Sequence, residues 1–315
     1  MPNWNDVLNE ITAEIQTHRT AAQTAVDAVR RKYLKELYAH NRRNIIAYYS
    51  GFLSKPTIAG VEITDEDKNG FMMATHGMVK QNGLDLILHT PGGSIAAAES
   101  IVDYLKRMFG KNIRAIIPQI AMSAGTMIAC SCKKIIMGTH SNLGPIDPQL
   151  NGIPAAGVIE EFRKALDEIK KDPDAMMVWQ YILRQYPPSF LGQCENGVKW
   201  ASAFVAAELR SNMLSGRPDA EALADDIVAK LTDFSGNKSH DRHIHYDECR
   251  DMGLEVELLE EDNKQQDLVL TVHHCYMNAL MNTNAFKMIE NHNGVAFIKQ
   301  QLQVAVPASV MPALP

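Results

Sequence analysis

The chain reads LDLILHTPGGSIAAAESIVDYLKRMF from residue 84 to 109 and IRAIIPQIAMSAGTMIACSCKKIIM from 113 to 137. Leu84 to His89 is an apolar run that reads as a strand, Thr90-Pro91-Gly92-Gly93 stops it, and an amphipathic helix follows from about Ser94 to Phe109. Ile113 to Ile117 is the next strand, Met122 to Ser131 a helix of small residues, and Lys134 to Met137 a further short strand. Strands alternating with helices predict an α/β fold on a mostly parallel sheet with right-handed crossovers.

Outward from this centre, Asn44 to Phe52 is β-branched and aromatic and reads as a strand, after which Thr64-Asp65-Glu66-Asp67 caps a helix to about Lys80. Trp4 to about Ala39 predicts one long polar helix, so residues 1–40 form an N-terminal arm ahead of a core at 41–262. Residues 159–231 are helical, interrupted at Tyr186-Pro187-Pro188, and 263–315 read as a helical extension ending in a Pro-rich tail.

The 315 residues, 46% of them hydrophobic, suffice for a sizeable core. A net charge of -6 with scattered lysines and arginines excludes the electrostatic footprint of a nucleic-acid partner. The opening MPNWNDVLNEITAEIQTH has neither the basic flank nor the apolar run of a signal peptide, and no stretch reaches membrane-spanning length. A cytoplasmic protein is expected. Five cysteines, with only Cys130 and Cys132 close together, make no disulfide framework and read as reduced thiols.

Two strand-to-helix turns carry the chemistry. Gly92 and Gly93 permit backbone conformations barred to other residues and put free amides at a helix start, where they can stabilise a developing oxyanion. Ser123 opens the next helix after the Pro118-Gln119-Ile120-Ala121 bend, and the amide of Ala124 can join the same hole. Each signal also has a plain structural reading, the first as an ordinary turn and the second as a helix N-cap.

Together the two turns resemble those of the proteolytic subunit of Clp protease and of signal peptide peptidase A, over Leu84 to Pro148. The wider sequence resembles the serine dehydrogenase proteinase family, through SAGTMIA, through SNLGPIDPQ at Ser141 to Gln149, through KSHDR at Lys238 to Arg242, and through ENHNGVA near the carboxyl end. The resemblance implies a crotonase-like, Clp protease-like ββα superhelix. It also implies a serine peptidase acting on protein or peptide through Ser123, and assembly into a homo-oligomer.

A serine hydroxyl needs a base. Where Clp-type enzymes carry a histidine, this chain reads Gly144-Pro145-Ile146-Asp147-Pro148. Four candidates stay open. His140 lies just upstream and needs a shifted loop to reach Ser123. His240 adjoins Asp241-Arg242, a pair that precedes Gly253-Leu254 at the spacing of the Clp-type triad aspartate, and either Asp147 or Asp241 could orient it. Lys164 falls near the separation from the nucleophile at which signal peptide peptidase relatives carry a helical lysine, although Glu160, Glu161 and Glu168 favour its charged form. Asp147 is a lone carboxylate base or a turn residue.

His240-Asp241-Arg242-His243-Ile244-His245 and His273-His274-Cys275 lack the spacing of a zinc motif, and no Gly-Lys-Ser/Thr follows Gly92-Gly93. No metal, nucleotide or other cofactor is expected. Against the peptidase stand a catalytically degenerate peptide-binding scaffold and an acyl-CoA hydratase or thioesterase. The latter chemistry relies on carboxylates and leaves Ser123 without a purpose.

Overall fold

Strands β1 (Asn44–Ser50), β2 (Leu84–His89), β3 (Ile113–Ile117) and, past the two-residue β4 (Ile120–Ala121), β5 (Lys134–Met137) form the parallel centre of the sheet. The computed structural model describes residues 4–19, 21–233 and 241–301. Short strands β6 (Asn142–Leu143), β7 (Gln149–Leu150), β8 (Ile153–Pro154) and β9 (Ile244–His245) lie outside this sheet. β10 (Val256–Leu258) adds parallel to β5, β11 (Ala285–Asn291) adds antiparallel to β1, and β12 (Ala296–Gln300) closes that edge. The order is β10-β5-β3-β2-β1-β11-β12.

Every residue of β1 and β2 is buried, as a parallel sheet covered on both faces requires. Leu86, Leu88, Ala115 and Ile117 face a core built with α4 (Ile95–Phe109), α5 (Ala124–Cys130), α8 (Phe190–Ser211) and α9 (Ala220–Thr232). Ile87, Ile116 and Ile136 face a second core made with α1 (Trp4–His18), α2 (Ala22–Asn41) and α11 (Asn263–Asn282). The remaining helices are α3 (Asp67–Thr75), α6 (Ala155–Lys171), α7 (Met176–Leu183) and α10 (Tyr246–Met252). Among the described residues no helix is long and apolar enough to cross a membrane. All five cysteines are free and buried, and burial pushes the Cys130 and Cys132 thiols up to about 12.

Three expectations change. The N-terminal arm is two helices, broken where Arg19 takes a φ of 49°, and Val7, Ile11, Val26 and Leu37 are buried in the second core. α3 stops at Thr75 because His76 leaves helical geometry, and Asp67 accepts the Thr64 N–H at 2.9 Å from inside the first turn. The carboxyl-terminal extension is helical only to Asn282, since residues 285–300 are a hairpin that completes the sheet. The Pro-rich tail lies outside the described residues.

A buried network ties these terminal pieces to the sheet. Glu290 on β11 accepts from Arg30 Nε at 2.6 Å, from Arg31 Nε at 2.7 Å and from the Tyr276 hydroxyl at 3.0 Å. Burial alone would raise the Glu290 pKa, but the Arg30 charge and the arginine hydrogen bonds hold it below the usual range. A carboxylate with a depressed folded-state pKa stabilises fully above its unfolded value of about 4.3 and loses that contribution as pH falls through the folded value. Urea unfolding of Glu290→Ala is expected to show a loss of up to about 3–5 kcal/mol at neutral pH, because the buried Arg30 keeps only Asp27, 2.7 Å from its guanidinium, as a carboxylate partner. That loss shrinks at low pH.

Candidate active site

Because β2 and β3 are adjacent and in parallel register, Ile87 beside Ile116, the turns that follow them emerge at the same sheet edge. Backbone bonds hold the two turns together: Thr90 N–H donates to Ile120 O at 3.2 Å and Met122 N–H to Thr90 O at 3.0 Å. The Gly92-Gly93 turn therefore lies against Ser123. A Cβ on Gly92, whose φ is 100°, would stand 2.7 Å from Ser123 Cβ and 3.2 Å from Ala124 N. Gly92 N–H is engaged by Thr90 Oγ1 at 3.2 Å, and its carbonyl accepts from Ile63 N at 2.7 Å. Its contribution is close approach. Among the described residues no hydrogen bond engages Gly93 N–H or Ala124 N–H.

Ser123 does not have N-cap geometry. Its φ of 50° and ψ of -117° fall outside the extended region such caps use, and its side chain makes no capping bond. A non-glycine residue in such a conformation costs on the order of 1–3 kcal/mol, and it resembles the sharp strand-to-helix turn that exposes a nucleophilic serine. The half-buried side chain lines a cavity of about 570 Å³.

One wall of the cavity is the start of α4, where Ser94 accepts from Ala97 N at 3.3 Å. Met127 of α5 and the segment Pro148-Gln149-Leu150 add further lining, and α8 contributes Gln193, Asn196 and Trp200. The indole N–H of Trp200 donates to Glu99 Oε2 at 3.0 Å, joining α8 to α4 beside the cavity. The sequence reading missed these α8 residues. They come from some seventy positions beyond Ser123, and only the packing of α8 against α5 brings them in.

The Gly-Pro-Ile-Asp loop is fixed to the serine helix through Thr126, whose hydroxyl donates to Ala121 O at 2.9 Å and accepts Gly144 N–H at 3.0 Å. Asp147, 3% exposed, immediately precedes the cavity-lining Pro148. Ile146 N–H donates to Leu231 O at 3.0 Å, and β9 pairs with β6 through Ile244 and Leu143. The described residues on both sides of 234–240 are thereby tied to the loop that carries Asp147. His240 itself lies outside the described residues.

Two other candidates do not line the cavity. Lys164 has 65% of its side chain exposed and a Glu168 oxygen 3.9 Å away. The His140 ring, 38% exposed, lies 3.8 Å from Glu260 and borders a separate hollow with Gln119, His273 and His274. His89, one residue before the glycine turn, is fully buried, and burial depresses its pKa to about 4. Its imidazole meets Ser50 O and Gln119 Oε1 at 3.1 Å each, which leaves it a structural group.

Residues 15–291 match the family described as ClpP-like SDH-type serine proteinase. An uncharacterized protein of Methanocaldococcus jannaschii is 33% identical over 195 residues, 62% of this chain and 60% of that relative. A second uncharacterized protein of the same organism is 30% identical over 194 residues, 62% of this chain and 59% of the relative. The chain thus spans about three fifths of the length of the curated relatives it matches.

Proposed function

The chain belongs to the ClpP-like SDH-type serine proteinase family, and we propose that it is a serine peptidase with a crotonase-like core and Ser123 as nucleophile. One observation carries this reading. Ser123 is held at positive φ, makes no capping bond, and opens into a cavity beside the Gly93 and Ala124 amides. The Ser123 hydroxyl attacks a peptide carbonyl and passes its proton to a base, while the carbonyl oxygen takes its charge between the two amides. Collapse expels the amine with that proton and leaves an ester on Ser123, which water then cleaves. Among the described residues the cavity offers Ile95, Met127, Leu150 and Trp200 beside neutral amides, which suits an uncharged side chain next to the scissile bond.

His240 is the base we assign, oriented by Asp147 or Asp241. The assignment rests on the tethering of both flanking segments to the Asp147 loop and on the exposure of Lys164. His240→Ala is expected to slow hydrolysis of an activated peptide ester about 10²- to 10⁴-fold, Asp147→Asn to slow it less, and Lys164→Ala to leave it unchanged. A loss confined to Lys164→Ala contradicts the assignment.

The same reading makes the protein a cytoplasmic homo-oligomer acting on protein or peptide. Exposed Leu166, Met177, Val178 and Tyr181 on α6 and α7 support the assembly, since such an apolar surface favours a partner copy. A second reading, a peptide-binding scaffold without turnover, is favoured by one feature: among the described residues no ionisable side chain lines the cavity. Turnover by the wild type and its loss in His240→Ala separate the two.

A further inference from the structure

A buried ion pair stands behind the glycine turn. Lys287 of β11 and Asp67 of α3 both have fully buried side chains, and Lys287 Nζ lies 2.9 Å from each Asp67 oxygen. Nζ also donates to the Glu62 carbonyl at 2.6 Å. Asp67 Oδ2 accepts from the Tyr48 hydroxyl at 2.9 Å and from the Thr64 backbone N–H at 2.9 Å. The pair therefore grips the backbone on both sides of Ile63.

Ile63 is the residue against which the turn is built. Its N–H donates to Gly92 O at 2.7 Å and its carbonyl accepts from Ser94 N at 3.0 Å, so Gly93 N–H stands between two fixed neighbours. The fit leaves no slack, because a Cβ on Gly93 would come within 2.5 Å of Ile63 O. An apolar pair of similar volume would hold a sheet and a helix together as well as a buried ion pair does. It could not hold the Glu62 carbonyl and the Thr64 amide.

We propose that Lys287 and Asp67 are positioning residues, which act through Glu62, Ile63 and Thr64 to set the Gly93 amide at the oxyanion position. This rests on the reading of Ser123 as nucleophile. The pair touches neither substrate nor Ser123, and its effect falls on transition-state charge and not on occupation of the cavity.

The test uses the full chain with Lys287→Met and Asp67→Asn combined, which removes both charges and leaves neither buried alone. Affinities are measured for a peptide boronic acid and for the carboxamide of the same sequence. The Ser123 oxygen adds to the trigonal boron and passes its proton to the same base that serves hydrolysis, giving an anionic tetrahedral adduct with a boron-bound oxygen at the oxyanion position. The carboxamide only fills the cavity. The double variant is expected to bind the boronate about 10- to 100-fold more weakly, less than the roughly 10²- to 10³-fold cost of losing an oxyanion donor outright because the amide is displaced and not removed, with carboxamide affinity and KM unchanged and kcat lowered. Should it fail to fold, Tyr48→Phe keeps the ion pair, removes one bond to Asp67, and is expected to weaken the boronate selectively by roughly threefold to tenfold.

Equal weakening of both ligands, or an unchanged boronate, overturns the positioning role. A wild type that does not prefer the boronate over the carboxamide removes the nucleophile reading instead, and the positioning role with it.

Discussion

Ser123→Ala is expected to lower peptide-ester turnover about 10⁴- to 10⁶-fold, with binding of a non-reactive peptide carboxamide unchanged. The size follows from what is removed. Without Oγ no acyl-enzyme forms, and the glycine turn can only polarise a carbonyl that water attacks unaided. The carboxamide is indifferent because the cavity walls come from α4, α8 and the Pro148 segment, none of which depends on the Ser123 hydroxyl. Alanine keeps the Cβ and with it the positive-φ strain at this position, so thermal stability is expected to stay within about 0.5 kcal/mol of the wild type. A fall in stability together with carboxamide affinity would mean that Ser123 is structural.

Gly93→Ala is expected to cost about 10²- to 10³-fold in kcat, the effect of losing one oxyanion donor. Its Cβ would meet the Ile63 backbone, with Ile63 Cα at 2.9 Å, and its φ of 149° is one that L residues rarely adopt. The backbone of Ile63 is hydrogen-bonded on both sides and cannot withdraw, so the turn must move. Steady-state kinetics check this: kcat falls while KM stays within about twofold, since binding that is equal in ground and transition states is untouched. A rise in KM with kcat unchanged would place Gly93 in substrate binding alone.

The parallel centre of the sheet was legible because its strands are short apolar runs separated by unmistakable breakers. Leu84 to His89, Ile113 to Ile117 and Lys134 to Met137 each match an observed strand residue for residue. The terminal regions misled for two different reasons. A helical stripe of Val7, Ile11, Val26 and Leu37 is the same whether the helix is an arm or part of a core, and one residue at positive φ suffices to break it. In ENHNGVA the Asn293-Gly294 dipeptide is a hairpin signal, and the apolar runs on either side of it are β11 and β12.

The site divides along the same line. The two turns that bring Gly92 and Gly93 against Ser123 and Ala124 follow local turn chemistry and stand in order along the chain. The α8 wall and the Lys287–Asp67 pair depend on contacts across long sequence separations. Lys287 is one lysine in AFKMIEN, and nothing local marks it as fully buried against Asp67. The base is hardest to read for a related reason, since a histidine serves catalysis only through its spatial neighbours.

Ser123 as nucleophile is the claim on which the rest depends, and a fluorophosphonate tests it most directly. The full chain is incubated with the probe across about pH 6 to 9, the range in which a histidine base acts, and the adduct is located by peptide mass spectrometry. The predicted result is a single phosphonylated residue, Ser123, with no adduct in Ser123→Ala. No adduct at any pH, or one that persists on another residue in Ser123→Ala, would contradict it.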